Sequence, residues 1–145
     1  MGHRRVAREC ALQMMYELDV GKHPKEEILR NYWLMNEHPQ KVRDFAELLF
    51  EGTVQRMEEI DTVIQQHAKN WRLSRMAVVD RNVLRLAVFE FLWGDKTPET
   101  VVINEALEIA RKFSTNESAQ FVNGILDSIK NRLTEKGLPS NGRPD

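Results

Sequence analysis

Apolar residues recur along this chain at three- and four-residue spacing almost from end to end. No stretch alternates apolar and polar positions for long enough, between turn residues, to read as a strand. The pattern therefore predicts an all-α protein. Breakers divide it at Gly21 with Pro24, His38 with Pro39, Asn70 to Ser74, Gly94 to Pro98, Ser114 to Asn116 and Gly137 to Pro139. Between them the spacing predicts about seven helices, near 4–20, 25–36, 40–58, 59–69, 76–93, 98–112 and 117–135. One globular domain over 1–138 is expected, followed by a polar tail over 139–145. The chain has no internal repeat and no low-complexity tract, which sets solenoids and long disordered linkers aside.

The faces of these helices differ. In 98–112, Val102, Ile103, Ala106, Ile109, Ala110 and Phe113 share one side, and Asn104, Glu105, Glu108, Arg111 and Lys112 take the other. Thr97 is expected to cap this helix, with Pro98 in its first position and Glu99 in the first turn, where the helix dipole favours an anion. In 76–93, apolar residues from Val79 to Trp93 surround nearly the whole circumference, as expected of a central helix enclosed by the others. The first helix has two apolar sides. Ala7, Cys10, Ala11, Met14 and Leu18 form a core stripe, while Arg5, Leu12 and Tyr16 lie nearly opposite, with Glu9 nearby. Either this second side is a partner contact, rich in the aromatic and arginine residues of interfaces, or another helix covers it. In 117–135 the core stripe is Val122, Ile125, Leu126, Ile129 and Leu133, and Phe121 falls off it beside Gly124 and Ser128. That ring either receives an unstacked base or seals an edge of the core.

At 145 residues with 41% hydrophobic and 30% charged composition, the chain is long enough to bury a core without metal or disulfide staples. The single cysteine, Cys10, cannot form an internal disulfide, and the N-terminus has no secretory pattern, so a reducing cytoplasm is expected. The longest charge-free run, Ser118 to Leu126, is too short to span a membrane. Formal net charge is −1, yet it is unevenly distributed. Arg4, Arg5 and Arg8 stand without an acid in the first eight residues, and Lys69, Arg72, Arg75, Arg81 and Arg85 face only Asp80. Between Asp44 and Asp61 the balance is acidic, which makes the chain dipolar.

Catalytic chemistry finds no motif. There is no Gly-rich phosphate loop, no nucleophile elbow and no metal-spaced set of Cys and His. His3, His23, His38 and His67 fall in different predicted elements, and Glu105 with Glu108 lacks the histidine that a helical metal site would add. Neither enzymatic activity nor a cofactor or metal is expected.

Four blocks, in order, resemble the NusB family of bacterial transcription antitermination factors. The first is Arg4-Arg5-Val6-Ala7-Arg8-Glu9-Cys10-Ala11-Leu12-Gln13-Met14-Met15-Tyr16. The others run from Asp80 to Glu90, from Val102 to Ala110, and from Phe121 to Asp127. The resemblance implies two packed helical bundles of seven helices. It also implies a non-enzymatic RNA-binding protein that joins NusE, a small-subunit ribosomal protein, on the single-stranded boxA sequence of nascent RNA. The complex then acts on RNA polymerase to suppress termination, notably in ribosomal RNA operons. On that reading Arg4, Arg5 and Arg8 contact phosphates, Phe121 stacks on a base, and Gln120 and Asn123 read base edges, with helix packing the alternative for Asn123. Tyr16 and Asp80, flanked by Glu9 and Leu12, match the NusE-facing side of the family. Asn104, Glu105 and Glu90 belong to the family pattern and are expected to fix helix contacts. Some relatives are dimers and others monomers, so a homodimer is compatible with the resemblance. Two other readings stay open: a helical protein-interaction module that does not touch RNA, and an RNA-binding domain separated from an RNA methyltransferase.

Overall fold

A computed structural model describes residues 2–135, so the expected tail over 139–145 lies outside the described residues. Seven α-helices and no strand are found among them: α1 (His3–Tyr16), α2 (Lys25–Met35), α3 (Gln40–Gln55), α4 (Met57–His67), α5 (Val78–Trp93), α6 (Glu99–Phe113) and α7 (Asn116–Glu135). A π-helical turn, Glu17–Gly21, follows α1, and a single 3-10 turn, Leu73–Arg75, precedes α5. Helices α1, α2 and α3 pack as one bundle and α4 to α7 as a second, with α5 touching α1 and α3 on one side and α4, α6 and α7 on the other. The all-α, two-bundle architecture expected from the sequence is the one observed. None of the described helices is long and apolar enough to cross a membrane.

Helix α5 is central for the reason its pattern gives. Val83, Leu84, Leu86, Ala87, Val88, Phe89 and Phe91 are all buried, and they are spread around the helix axis. The α6 and α7 stripes close on it through Val102, Ile103, Ala106 and Ile109, and through Val122, Ile125, Leu126 and Ile129. Three polar groups of α5 go inside with them, Asp80, Asn82 and Glu90. Polar groups this deep are tolerated when they are paired or hydrogen-bonded. Glu90 accepts from Arg8 of α1, and the Asn82 amide donates to Asp19 of the π-helical turn.

Three sequence expectations need correction. Leu12, expected on an exposed face beside Tyr16, is only 3% exposed. Helix α1 packs against α3 and α5 at once, so its buried arc widens to on the order of 200° at 100° per residue and takes in Arg8, Leu12 and Met15 as well as the predicted stripe. The helix expected to reach residue 20 instead gives way after Tyr16 to the π-helical turn, which ends where Lys22 adopts a left-handed conformation at φ 57°. In this turn Asp19 accepts hydrogen bonds from Arg81, Arg85 and Asn82. Finally, Thr97 does not cap α6, which has Pro98 at its N-cap and no side-chain cap hydrogen bond. The Thr97 hydroxyl is engaged by Asp95 and Arg4 instead.

Candidate nucleic-acid interface

The sequence groups the N-terminal arginines together, and the structure separates them by burial. Arg8 donates Nε and Nη2 to the two carboxylate oxygens of Glu90, with side chains only 7% and 5% exposed. A guanidinium held this way inside the protein is not available to a phosphate, so Arg8 is corrected from an RNA contact to a tie between α1 and α5. Arg5 makes a bidentate pair with Glu105 of α6 at 2.9 and 2.7 Å, partly buried. That donor pair holds the Glu105 carboxyl below its ordinary range. Arg4 alone stays outside. It lies over the Phe45 ring at 4.4 Å from the centroid and pairs with Asp95, the two side chains being 51% and 43% exposed. An exposed pair of this kind contributes about 1 kcal/mol or less, so it can be exchanged, whereas the Arg8 pair cannot. Glu90 and Glu105, expected to be structural, are the carboxylates that hold Arg8 and Arg5.

The basic run from Lys69 to Arg85 is likewise divided. Arg81 and Arg85 point inward, where Asp19 and Asp61 neutralise them. Lys69, Arg72 and Arg75 remain exposed and form no ion pair among the described residues. Between Lys69 and Arg72 in the same loop stands Trp71, 57% exposed. Its indole meets the Phe121 ring edge to face, with centroids 6.0 Å apart and planes at 85°. Phe121 is half-buried against the core, so it seals a core edge and presents a ring to the surface at the same time. Gln120 and Asn123, one residue before and two after it, are exposed and make no hydrogen bond within the described chain.

Trp71 is not singled out by the sequence, because a loop between breakers gives no wheel on which to place it. What orients it is Gln65 of α4. The Gln65 amide donates to the carbonyls of Ala68 and Trp71 and accepts from the backbone N–H of Leu73, folding the loop around one side chain. A Gln followed by a Trp-Arg loop is the available signal. It is legible only once the hydrogen bonds are known.

On the other expected surface, Tyr16 is exposed and Glu9 lies beneath Lys112, which donates to it at 3.0 Å. Val20, one turn beyond Tyr16, is exposed too, and the sequence misses it by placing it within a regular helix. Asp80, expected at the partner surface, is buried in the first turn of α5 under Ser118, and burial pushes its carboxyl above the usual range. Burial also takes Leu12 off this surface.

The two halves of the expected RNA set do not meet. Arg4 contacts Asp95 and Thr97, just beyond the C-terminal end of α5. Phe121 lies one turn from Ser118, the partner of Asp80 at the N-terminal end of α5. Sixteen helical residues separate these ends, a distance of roughly 22 Å. Among the described residues no His, Cys, Asp and Glu group of metal-binding size is gathered anywhere.

The arrangement invites comparison with known proteins. Residues 5–131 match the NusB family model. The transcription antitermination protein NusB of Koribacter versatilis is 50% identical over 133 residues, covering 91% of both chains. In three dimensions the chain is similar to NusB of T. maritima, with TM-score 0.81, 34% identity and coverage of 90% of this chain and 92% of that one. It is also similar to a chain in the crystal structure of antitermination factors NusB and NusE in complex with dsRNA. There the TM-score is 0.83 at 26% identity, covering 91% of this chain and 98% of that one.

Proposed function

The chain belongs to the NusB family, and from that premise we propose that it is a transcription antitermination factor, not an enzyme, that binds boxA-containing RNA jointly with NusE. The joint complex acts on RNA polymerase to suppress termination, notably in ribosomal RNA operons, as the family role implies. The observation that supports RNA binding most directly is the Trp71–Phe121 pair, whose indole belongs to the exposed segment that carries Lys69, Arg72 and Arg75. Exposed rings accept bases released from a stack, and cations without carboxylate partners accept phosphates. Duplex bases are already stacked and paired, so this surface favours single-stranded RNA, with Gln120 and Asn123 in reach of base edges beside Phe121. Arg4 adds a phosphate contact at the far end of α5, and Arg5 adds one only at its exposed edge.

NusE is assigned to the end of α1, where Tyr16 and Val20 form an exposed apolar pair flanked by the Glu9–Lys112 ion pair. Four phosphate contacts, from Arg4, Lys69, Arg72 and Arg75, give a salt slope of only about −3 on single strands, so RNA affinity alone is modest. A second protein on the same RNA raises it without new contacts from this chain. The deciding experiment is fluorescence anisotropy of a labelled boxA RNA, against a scrambled single strand and a duplex, with and without NusE. Preference for boxA that grows when NusE is added supports the proposal. Equal, weak binding of all three RNAs in both conditions overturns it in favour of a protein-interaction module.

A further inference from the structure

The loop between α5 and α6 closes on the first turn of α1 through one small network. Arg4 Cζ lies over the Phe45 ring, 4.4 Å from its centroid, so its guanidinium is held against a ring before any ligand arrives. Its Nη2 faces Asp95 Oδ2, and its Nη1 donates to the Thr97 hydroxyl at 3.1 Å. Thr97 then turns both of its own donors on the other carboxylate oxygen: its backbone N–H lies 3.1 Å and its hydroxyl 2.5 Å from Asp95 Oδ1. Lys96, between these two residues, is exposed and has no ion pair among the described residues. The result is an oxyanion surrounded by a planar cation, a hydroxyl and an amide, at the surface of the protein. This is the donor set that recognises a phosphate.

We propose that Asp95 is an internal stand-in for an RNA phosphate: in the free protein its carboxylate fills the donors of Arg4 and Thr97, and a backbone phosphate of the bound RNA displaces it. The inference rests on the proposed RNA-binding function and adds to it the residue that restrains Arg4. Exposure makes the exchange feasible. Both partners of the Arg4 pair are about half exposed, while the neighbouring pair of Arg8 with Glu90 is sealed in the core. A side chain that must leave one anion for another is a throttle on affinity. Asp95 therefore sets how strongly the N-terminal end of α1 contributes to RNA binding, without touching RNA itself.

The test is a double-mutant cycle read by anisotropy with the same labelled boxA single strand. Asp95→Asn keeps the shape and the bonds to Thr97 but removes the competing charge, and it tightens RNA binding by about twofold to fivefold, the range expected when an exposed ion pair no longer has to be broken. In combination with Arg4→Ala that gain disappears, because the restrained group is gone. Asp95→Ser, which also removes the charge and retains a turn-forming side chain, repeats the result, and thermal melts show that both variants fold. Failure of Asp95→Asn and Asp95→Ser to tighten binding overturns the inference. So does equal tightening with and without Arg4, which would make Asp95 a matter of net charge alone. If the parent binds RNA and these ratios are flat, only this inference falls. If neither parent nor variants bind RNA, the RNA-binding reading falls and this one falls with it.

Discussion

Arg8 and Glu90 join α1 to α5 through a bidentate ion pair at 2.8 and 2.9 Å that is almost sealed from solvent. Such a pair is weak evidence of net stabilisation, because both charges gave up their hydration, but losing one partner strands the other. Arg8→Ala or Glu90→Ala should therefore each destabilise the protein by about 3–5 kcal/mol in urea unfolding. Replacing both together by Met and Leu should recover most of that loss. Single variants as stable as the parent would show that the pair opens to water.

The aromatic pair is tested by separating its surface role from its core role. Trp71→Ala should weaken binding of single-stranded RNA by about 1–3 kcal/mol while changing stability little, since the indole is largely exposed. Trp71→Phe should keep most of the affinity, because any ring stacks. Phe121→Ala should lose both affinity and stability, since that ring also packs on the core. Anisotropy and thermal melts on the same samples distinguish these outcomes. Unchanged RNA affinity for Trp71→Ala would move the base platform elsewhere.

The cations make a different prediction, in slope. Changing Lys69, Arg72 and Arg75 together to Gln should flatten the dependence of log affinity on log salt by about 2, at about 0.7 per phosphate on a single strand. None of the three has an ion pair to lose among the described residues, so stability should stay within about 0.5 kcal/mol of the parent. A slope that does not move would mean these side chains are solvated bystanders.

Helical spacing is enough to read the number of helices, the central place of α5 and the stripes of α6 and α7, because each depends on periodicity alone. Leu12 and Arg8 escape it for a shared reason. A wheel shows where apolar residues cluster, but not that two neighbours will pack on one helix from different sides, and α1 has α3 and α5 against it. Charge is the harder part. Arg81, Arg85 and Arg72 look alike in sequence, and only the π-helical turn that aims Asp19 inward, together with Asp61 of α4, decides which of them are neutralised. Trp71 is hidden for want of any pattern in its loop, and its placement depends on hydrogen bonds from a single glutamine.

Asp19 makes that turn a source of pH dependence. Hydrogen bonds from Arg81 first, with Asn82 and the nearby Arg85 charge adding to them against the cost of burial, lower its carboxyl from 3.8 to about 2. A depressed carboxylate stabilises the fold at any pH above its unfolded value, and that stabilisation is lost as pH falls from about 4 through 2. The linkage amounts to about 2 kcal/mol. Asp19→Asn should thus be less stable than the parent at pH 7, and the gap should narrow steadily in urea melts taken between pH 5 and pH 2. A gap independent of pH would assign the loss to packing.

Two helix-interior glycines make opposite predictions for the same substitution. A methyl group on Gly52 of α3 would overlap the Phe89 ring, which is buried in α5 and stacked on Trp93, so the ring has no free side to move toward. The helix preference for alanine, about 1 kcal/mol, is smaller than the overpacking cost of about 1–3 kcal/mol, and Gly52→Ala should destabilise. Gly124 of α7 has no atom of the described residues within 4 Å of the same methyl, so Gly124→Ala should stabilise by about 0.5–1 kcal/mol. Stability does not explain a glycine there. Gly124 lies three residues after Phe121 and lines a cleft with His67 and Lys69, where the lack of a side chain lets a nucleotide backbone come close. If RNA crosses this cleft, Gly124→Ala should raise the melting temperature and weaken RNA binding in one variant, a divergence that no purely structural role for the glycine produces.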